Sequence, residues 1–136
     1  MKHVVRPVPL MAAFAVLGAA ILLVVKGHGA WWVIAAGVIG PDLTFLAALG
    51  APEHGLMPAR VVRPYNLVHQ PAGPIAAFAL SVSVGNPTAM GFSFAWASHL
   101  LWDRGVGYGM RARDGSIIPP GRRAMASMNR REHCHG

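Results

Sequence analysis

Five ionisable side chains interrupt stretches that are otherwise apolar: Asp42, His69, His99, Asp103 and Arg104, with Tyr65, Asn66 and Ser98 beside them. An ionisable group at the centre of a membrane helix costs about 2.5–3.5 kcal/mol on insertion scales, so each requires a function or a polar partner. Two imidazoles and two carboxylates form an N/O donor set suited to zinc, or to manganese or iron where water completes the shell. His99 and Asp103 are four residues apart and share a helix face; Asn66 and His69, three apart, do the same, with Tyr65 one turn before His69. Asp42 follows Pro41, whose missing amide leaves a backbone carbonyl free and whose ring bends a helix. Arg104 can clamp an anionic group such as phosphate, and Tyr108 can orient that group with it or stabilise developing charge.

Each residue also has a plainer reading. Asp103 and Arg104 are adjacent and can form a salt bridge, with Arg104 snorkelling to the headgroups. A single His99 on an apolar face is more often a hydrogen-bonded core histidine than a ligand. Asn66 and Ser98 are common interhelical glue, and Tyr65 suits an aromatic belt.

These residues need elements to carry them, and the composition says which. Of 136 residues, 54% are hydrophobic and 12% charged, against roughly 25% charged in ordinary soluble domains. The mean hydropathy of +0.42 is concentrated in a few long runs, the pattern of a polytopic membrane protein. The expected fold is all-α, an integral membrane bundle of four transmembrane helices over residues 1–113. The spans fall at about 8–25, 29–49, 64–85 and 87–110. The first is long enough to cross a hydrocarbon core of about 30 Å at 1.5 Å per residue. The second opens on the interfacial pair Trp31-Trp32, and Pro71 and Pro74 must kink or open the first half of the third. Asp42, His69 and Asp103 then lie at nearly one depth, about 8–11 Å inside the same boundary, with His99 a turn deeper.

Ten of the 12 lysines and arginines fall on one side of this arrangement, from Lys2 and Arg6 through Arg60 and Arg63 to the arginines after residue 110; Lys26 alone faces the other. That asymmetry places both termini in the cytoplasm of a multi-pass protein of the cell inner membrane. Residues 114–136 read as a basic, disordered tail. Its arginines fit topology determination and anionic headgroups rather than nucleic acid, because no aromatic residues interleave them. Glu132, His133, Cys134 and His135 resemble an adventitious metal binder more than a site. The single cysteine, Cys134, excludes an intrachain disulfide and a CxxC site.

The segments Pro41-Asp42-Leu43, Tyr65-Asn66-Leu67-Val68-His69 and His99-Leu100-Leu101-Trp102-Asp103-Arg104, running on to Gly107-Tyr108-Gly109-Met110-Arg111, occur in this order. In these motifs the chain resembles a bacterial family of small integral membrane proteins known as domain of unknown function 4260, over roughly residues 10–113. The resemblance implies a membrane topology and a motif set but no activity. Where that family tends to continue into a Thr-His pair, this chain has Ser116-Ile117-Ile118-Pro119-Pro120. A looser similarity, of Pro-Asp plus membrane histidines, links it to small inner-membrane proteins described as metal-dependent hydrolases.

Three functional expectations stand side by side. The first is a membrane-embedded hydrolase of a lipid-like substrate entering at the cytoplasmic leaflet, with a divalent metal, zinc first, held by His69, His99 and Asp42 or Asp103. The remaining carboxylate is then the general base, Arg104 and Tyr108 orient an anionic head group, and Tyr65 and Asn66 support the site. The second is a transporter or proton-relay element. The third is a structural, partner-binding bundle, in which Ala36, Gly37 and Gly40 allow close helix approach within one chain or in a homo-oligomer.

Overall fold

A computed structural model describes residues 5–27, 29–49 and 57–118. His3, His28, His54 and the tail donors Glu132, His133, Cys134 and His135 lie outside the described residues.

The described residues form five α-helices: α1 (Pro7–Lys26), α2 (Trp32–Ile39), α3 (Ala59–Val68), α4 (Ala72–Ser83) and α5 (Pro87–Val106), with a 3-10 segment, Gly40–Ala48, continuing α2. No strand is present among them beyond one isolated antiparallel bridge, Arg111 with Ile117. Helix α1 is long and apolar enough to cross a membrane, whereas the apolar stretches Trp32–Leu46 and Ala72–Ser83 are shorter.

Two of the four expected spans are therefore subdivided, and prolines cause both divisions. Pro41 lacks an amide and its ring crowds the carbonyl of Gly37, so α2 tightens into 3-10 geometry at Gly40. Thr44 donates its hydroxyl to the Pro41 carbonyl at 2.9 Å and steadies this turn. In the third expected span, α3 ends at Val68, His69 caps it with non-helical φ −94° and ψ 7°, and α4 restarts beyond Pro71. The indole N–H of Trp96 on α5 donates to the Val68 carbonyl at 2.9 Å, satisfying a group that the break releases.

Helix α5 is the hub: α1 packs along it most extensively, then α2 and α4, while α3 leans on the 3-10 segment. Its buried positions are mostly small, with Gly91, Ser93, Ala95, Ser98 and Gly105 joining His99 and Leu100. Close approach follows from that choice. A β-carbon on Gly37 of α2 would lie 2.6 Å from the Ala95 β-carbon and 2.8 Å from the Phe92 carbonyl. Only a glycine lets α2 sit against α5 at this depth.

Many large apolar side chains lie outside a small core that mixes apolar and polar residues. Met11, Phe14, Leu22, Trp31, Ile39, Leu46, Leu80 and Val84 are exposed, while His69, Ser81, Ser93, Ser98 and His99 are buried. The hydroxyls of Ser81, Ser83, Ser93 and Ser98 each donate to a carbonyl one turn back on their own helix.

A small apolar cluster of Met57, Val61, Val62 and Tyr65 anchors α3. Onto it folds the segment after α5, which doubles back through hydrogen bonds from Ala112 N–H to the Ser116 carbonyl and from Ile118 N–H to the Met110 carbonyl, both 2.8 Å. Gly115 sits at its tip with φ +83°, and a β-carbon there would collide with the Met57 backbone. Ser116 hydroxyl and amide both donate to Asp114 and hold its exposed carboxyl below the ordinary carboxylate range. The first part of the expected tail, through Ile118, thus has a defined conformation against the helices.

Candidate metal centre

Three elements deliver four side chains to one point. The 3-10 segment carries Asp42 in its first turn. The break between α3 and α4 carries His69, and α5 carries His99 and Asp103 one turn apart. The Nε2 atoms of His69 and His99 are 3.4 Å apart. Asp103 Oδ2 lies 3.5 Å from each of them, and Asp42 Oδ1 lies 3.8 Å from His69 and 3.6 Å from His99.

These separations distinguish a ligand cage from a hydrogen-bonded lock. Nitrogen and oxygen atoms that share a proton approach to about 2.7–3.2 Å. Atoms bonded to one ion at about 2.0–2.2 Å in tetrahedral directions stand about 3.3–3.6 Å apart. The separations among Asp42, His69 and His99, 3.4–3.8 Å, fall at or just above the second range, and these three form a compact group of donor atoms of the kind that holds a metal ion. The imidazoles are 6% and 7% exposed, whereas the Asp42 side chain is 50% exposed, so the cluster is closed on the histidine side and open beside Asp42.

Neighbouring groups fix His69 for this role. Its Nδ1 lies 2.9 Å from the Tyr65 carbonyl, which only accepts, so Nδ1 carries the proton and Nε2 presents its lone pair. A carbonyl or carboxylate behind the ring is the usual support of a metal-binding histidine. The Tyr65 ring, itself buried, stacks on the imidazole with centroids 3.9 Å apart and planes inclined by 20°. Phe45 meets the Tyr65 ring edge-on at 5.4 Å.

The cluster forms one wall of a cavity of about 670 Å³. Asp42, His99, Asp103 and Tyr108 contribute its polar side, and Phe14, Leu17, Val38, Phe45, Trp102 and Val106 its apolar side. Phe14 and Trp102 meet edge-to-face at 5.6 Å, closing the wall between α1 and α5.

Asp42, His69, His99 and Asp103, all expected from sequence as donors, are therefore together. Tyr65 and Tyr108 line the same cavity, and Asn66 stands behind it, bonded to the backbone of Arg111. Arg104 does not line it; that side chain borders a small neighbouring recess with His69, Leu100 and Met110. Among the described residues, the ion-pair partners of Asp103 are the two histidines rather than Arg104.

The cation that does line the cavity is Arg111, which in the sequence stands among the topology-determining arginines. Asn66 holds its backbone, accepting from the Arg111 N–H at 2.7 Å and donating to the Arg111 carbonyl at 2.8 Å. The guanidinium carbon lies 5.6 Å from the centre of the Tyr65 ring, Nη1 donates to the Gly115 carbonyl at 3.4 Å, and the buried Nε has no hydrogen-bond partner. The one signal in the sequence was its place at the end of the Gly107-Tyr108-Gly109-Met110-Arg111 run.

No curated protein and no solved structure matches the chain. The family described as Domain of unknown function (DUF4260) matches residues 10–117. That stretch begins in α1 and ends in the turn beyond Arg111, so it contains every residue of the cluster and cavity named above. The chain belongs to the DUF4260 family.

Proposed function

We propose that this chain is a four-span protein of the bacterial inner membrane, with both termini cytoplasmic, and that it is a metal-dependent hydrolase of a lipid-like substrate. The observation that carries the reading is the convergence of Asp42, His69 and His99 beside a largely apolar-walled cavity. The exposure of many large apolar side chains supports a bilayer as solvent.

His69, His99 and Asp42 hold the ion, with zinc the best match to two imidazoles and a carboxylate, and Asp103 faces the remaining position. A divalent ion there supplies Lewis acidity and lowers the pKa of water. Asp103 accepts a proton from water as its oxygen bonds to the scissile centre, and then returns that proton to the departing oxygen. Tyr108 borders the reacting group, and the apolar walls exclude bulk water.

A proton relay through the protein is disfavoured by the serines of α4 and the first half of α5. The hydroxyls of Ser81, Ser83 and Ser93 donate to carbonyls of their own helices rather than to one another or to the cluster. A structural lock is disfavoured by the 3.4–3.8 Å separations, too long for good hydrogen bonds.

Hydrolysis of acyl and phosphoryl esters of amphiphiles by zinc-loaded protein in mixed micelles tests the reading. Asp103→Asn should retain metal and lose turnover by about 100-fold or more. Full turnover in Asp103→Asn, or none in wild type across both ester classes, sinks it.

A further inference from the structure

Between α1 and α2 lies a second cavity of about 450 Å³, lined entirely by apolar side chains that include Ile21, Val25, Trp31 and Ala35. It shares Leu17, Val38 and Ile39 with the cavity at the cluster, so the two adjoin across these side chains and lie end to end as a trough in two parts. Along α1 the trough runs from Ala13 to Val25, about 18 Å at 1.5 Å per residue. At its polar end stands Arg111, with a buried Nε that nothing in the protein satisfies. An unpaired buried guanidinium nitrogen is costly, and a planar donor fork matches phosphate or carboxylate.

We propose that the trough binds a single long acyl chain of an anionic amphiphile, with Arg111 holding the phosphate or other anion of its head group beside the cluster. This rests on the hydrolase reading for its purpose but not for its geometry. The two ends of the trough are matched to the two ends of such a molecule. The apolar cleft accepts a chain of roughly palmitoyl length. Arg111, held in place through its backbone by Asn66, meets the charge and places the adjoining ester next to Asp42, His99 and Asp103. Arg104, turned to the neighbouring recess, has no part in this contact.

The test uses the detergent-solubilised full chain and native mass spectrometry. The probes are palmitoyl lysophosphatidate, octanoyl lysophosphatidate, monopalmitoylglycerol and inorganic phosphate, with metal content measured in parallel. Wild type should take up one palmitoyl lysophosphatidate per chain in preference to the other three. Arg111→Gln should weaken that binding about tenfold or more while leaving monopalmitoylglycerol binding unchanged. Ala35→Trp, which fills the cleft far from the cluster, should abolish the preference for palmitoyl over octanoyl.

Unchanged affinity in a folded Arg111→Gln protein overturns the proposal, as does inorganic phosphate binding as tightly as the amphiphile. An Ala35→Trp variant that loses a dimer instead of chain-length preference assigns the cleft to a second copy and also overturns it. Should Arg111→Gln fail to fold, the Ala35→Trp result decides. Lipid binding that depends on Arg111 in a protein without metal leaves this inference standing and sinks the hydrolase reading alone. Retained metal without lipid preference does the reverse.

Discussion

Asn66 and Arg111, 45 residues apart in sequence, are joined by a reciprocal pair of bonds: the Asn66 side-chain carboxamide donates through Nδ2 to the Arg111 carbonyl at 2.8 Å and accepts at Oδ1 from the Arg111 N–H at 2.7 Å. One side chain thus fixes both the chain path after α5 and the position of the guanidinium at the cavity. Asn66→Ala removes both bonds. The expected result is a loss of about 1–3 kcal/mol in stability and weaker binding of anionic amphiphiles, with metal content intact. Thermal unfolding in detergent and metal analysis of the same sample check it, and loss of metal would show that Asn66 acts on the cluster itself.

Tyr65 supports His69 with its ring and its backbone carbonyl, and not through its hydroxyl. Tyr65→Phe should therefore keep the metal affinity of wild type. Tyr65→Leu, which deletes the stacked ring, should weaken it by a factor of about 3–10, from a stacking contribution of about 0.5–1.5 kcal/mol. Competition with a chelating dye measures both. Equal loss in the two variants would mean the hydroxyl is the important group.

Trp96 satisfies the Val68 carbonyl where Pro71 interrupts the helix. Trp96→Phe keeps a ring against Gly73 but leaves that carbonyl without its donor. It should lower stability by about 1–3 kcal/mol, read as a reduced melting temperature. No change would mean that water or another group replaces the indole there.

Gly37 sets how closely α2, and hence Asp42, approaches α5. Gly37→Val must push the helices apart, at about 1–3 kcal/mol for overpacking. Asp42 should withdraw from the histidines and metal affinity should fall, although Gly37 touches no donor. Ala36→Val, on the same helix one residue away, is the control and should retain metal.

The donor set was legible in the sequence because polar side chains stand out in apolar runs, and the helical rise places Asp42, His69 and Asp103 at one depth. The subdivision of the spans was legible only in outline. Pro41 and Pro71 announce irregularity, but whether a proline kinks, tightens or ends a helix depends on partners such as Trp96 and Thr44 that periodicity does not reveal. Arg111 was hidden by its company. A charge count treats every arginine beside a span alike, and only the fold shows that Asn66 turns this one toward the cavity while Arg104, beside Asp103 in sequence, borders a different recess.

Metal content of tagless, detergent-purified protein, read by inductively coupled plasma mass spectrometry, tests the cluster most directly. Wild type should hold about one zinc per chain after saturation and dialysis. A form ending at residue 118, without the tail histidines and cysteine, should hold the same amount, and His69→Ala/His99→Ala should hold none. A folded wild type that retains no metal after zinc titration contradicts the assignment. So does a double mutant that keeps its metal while the truncated form loses it.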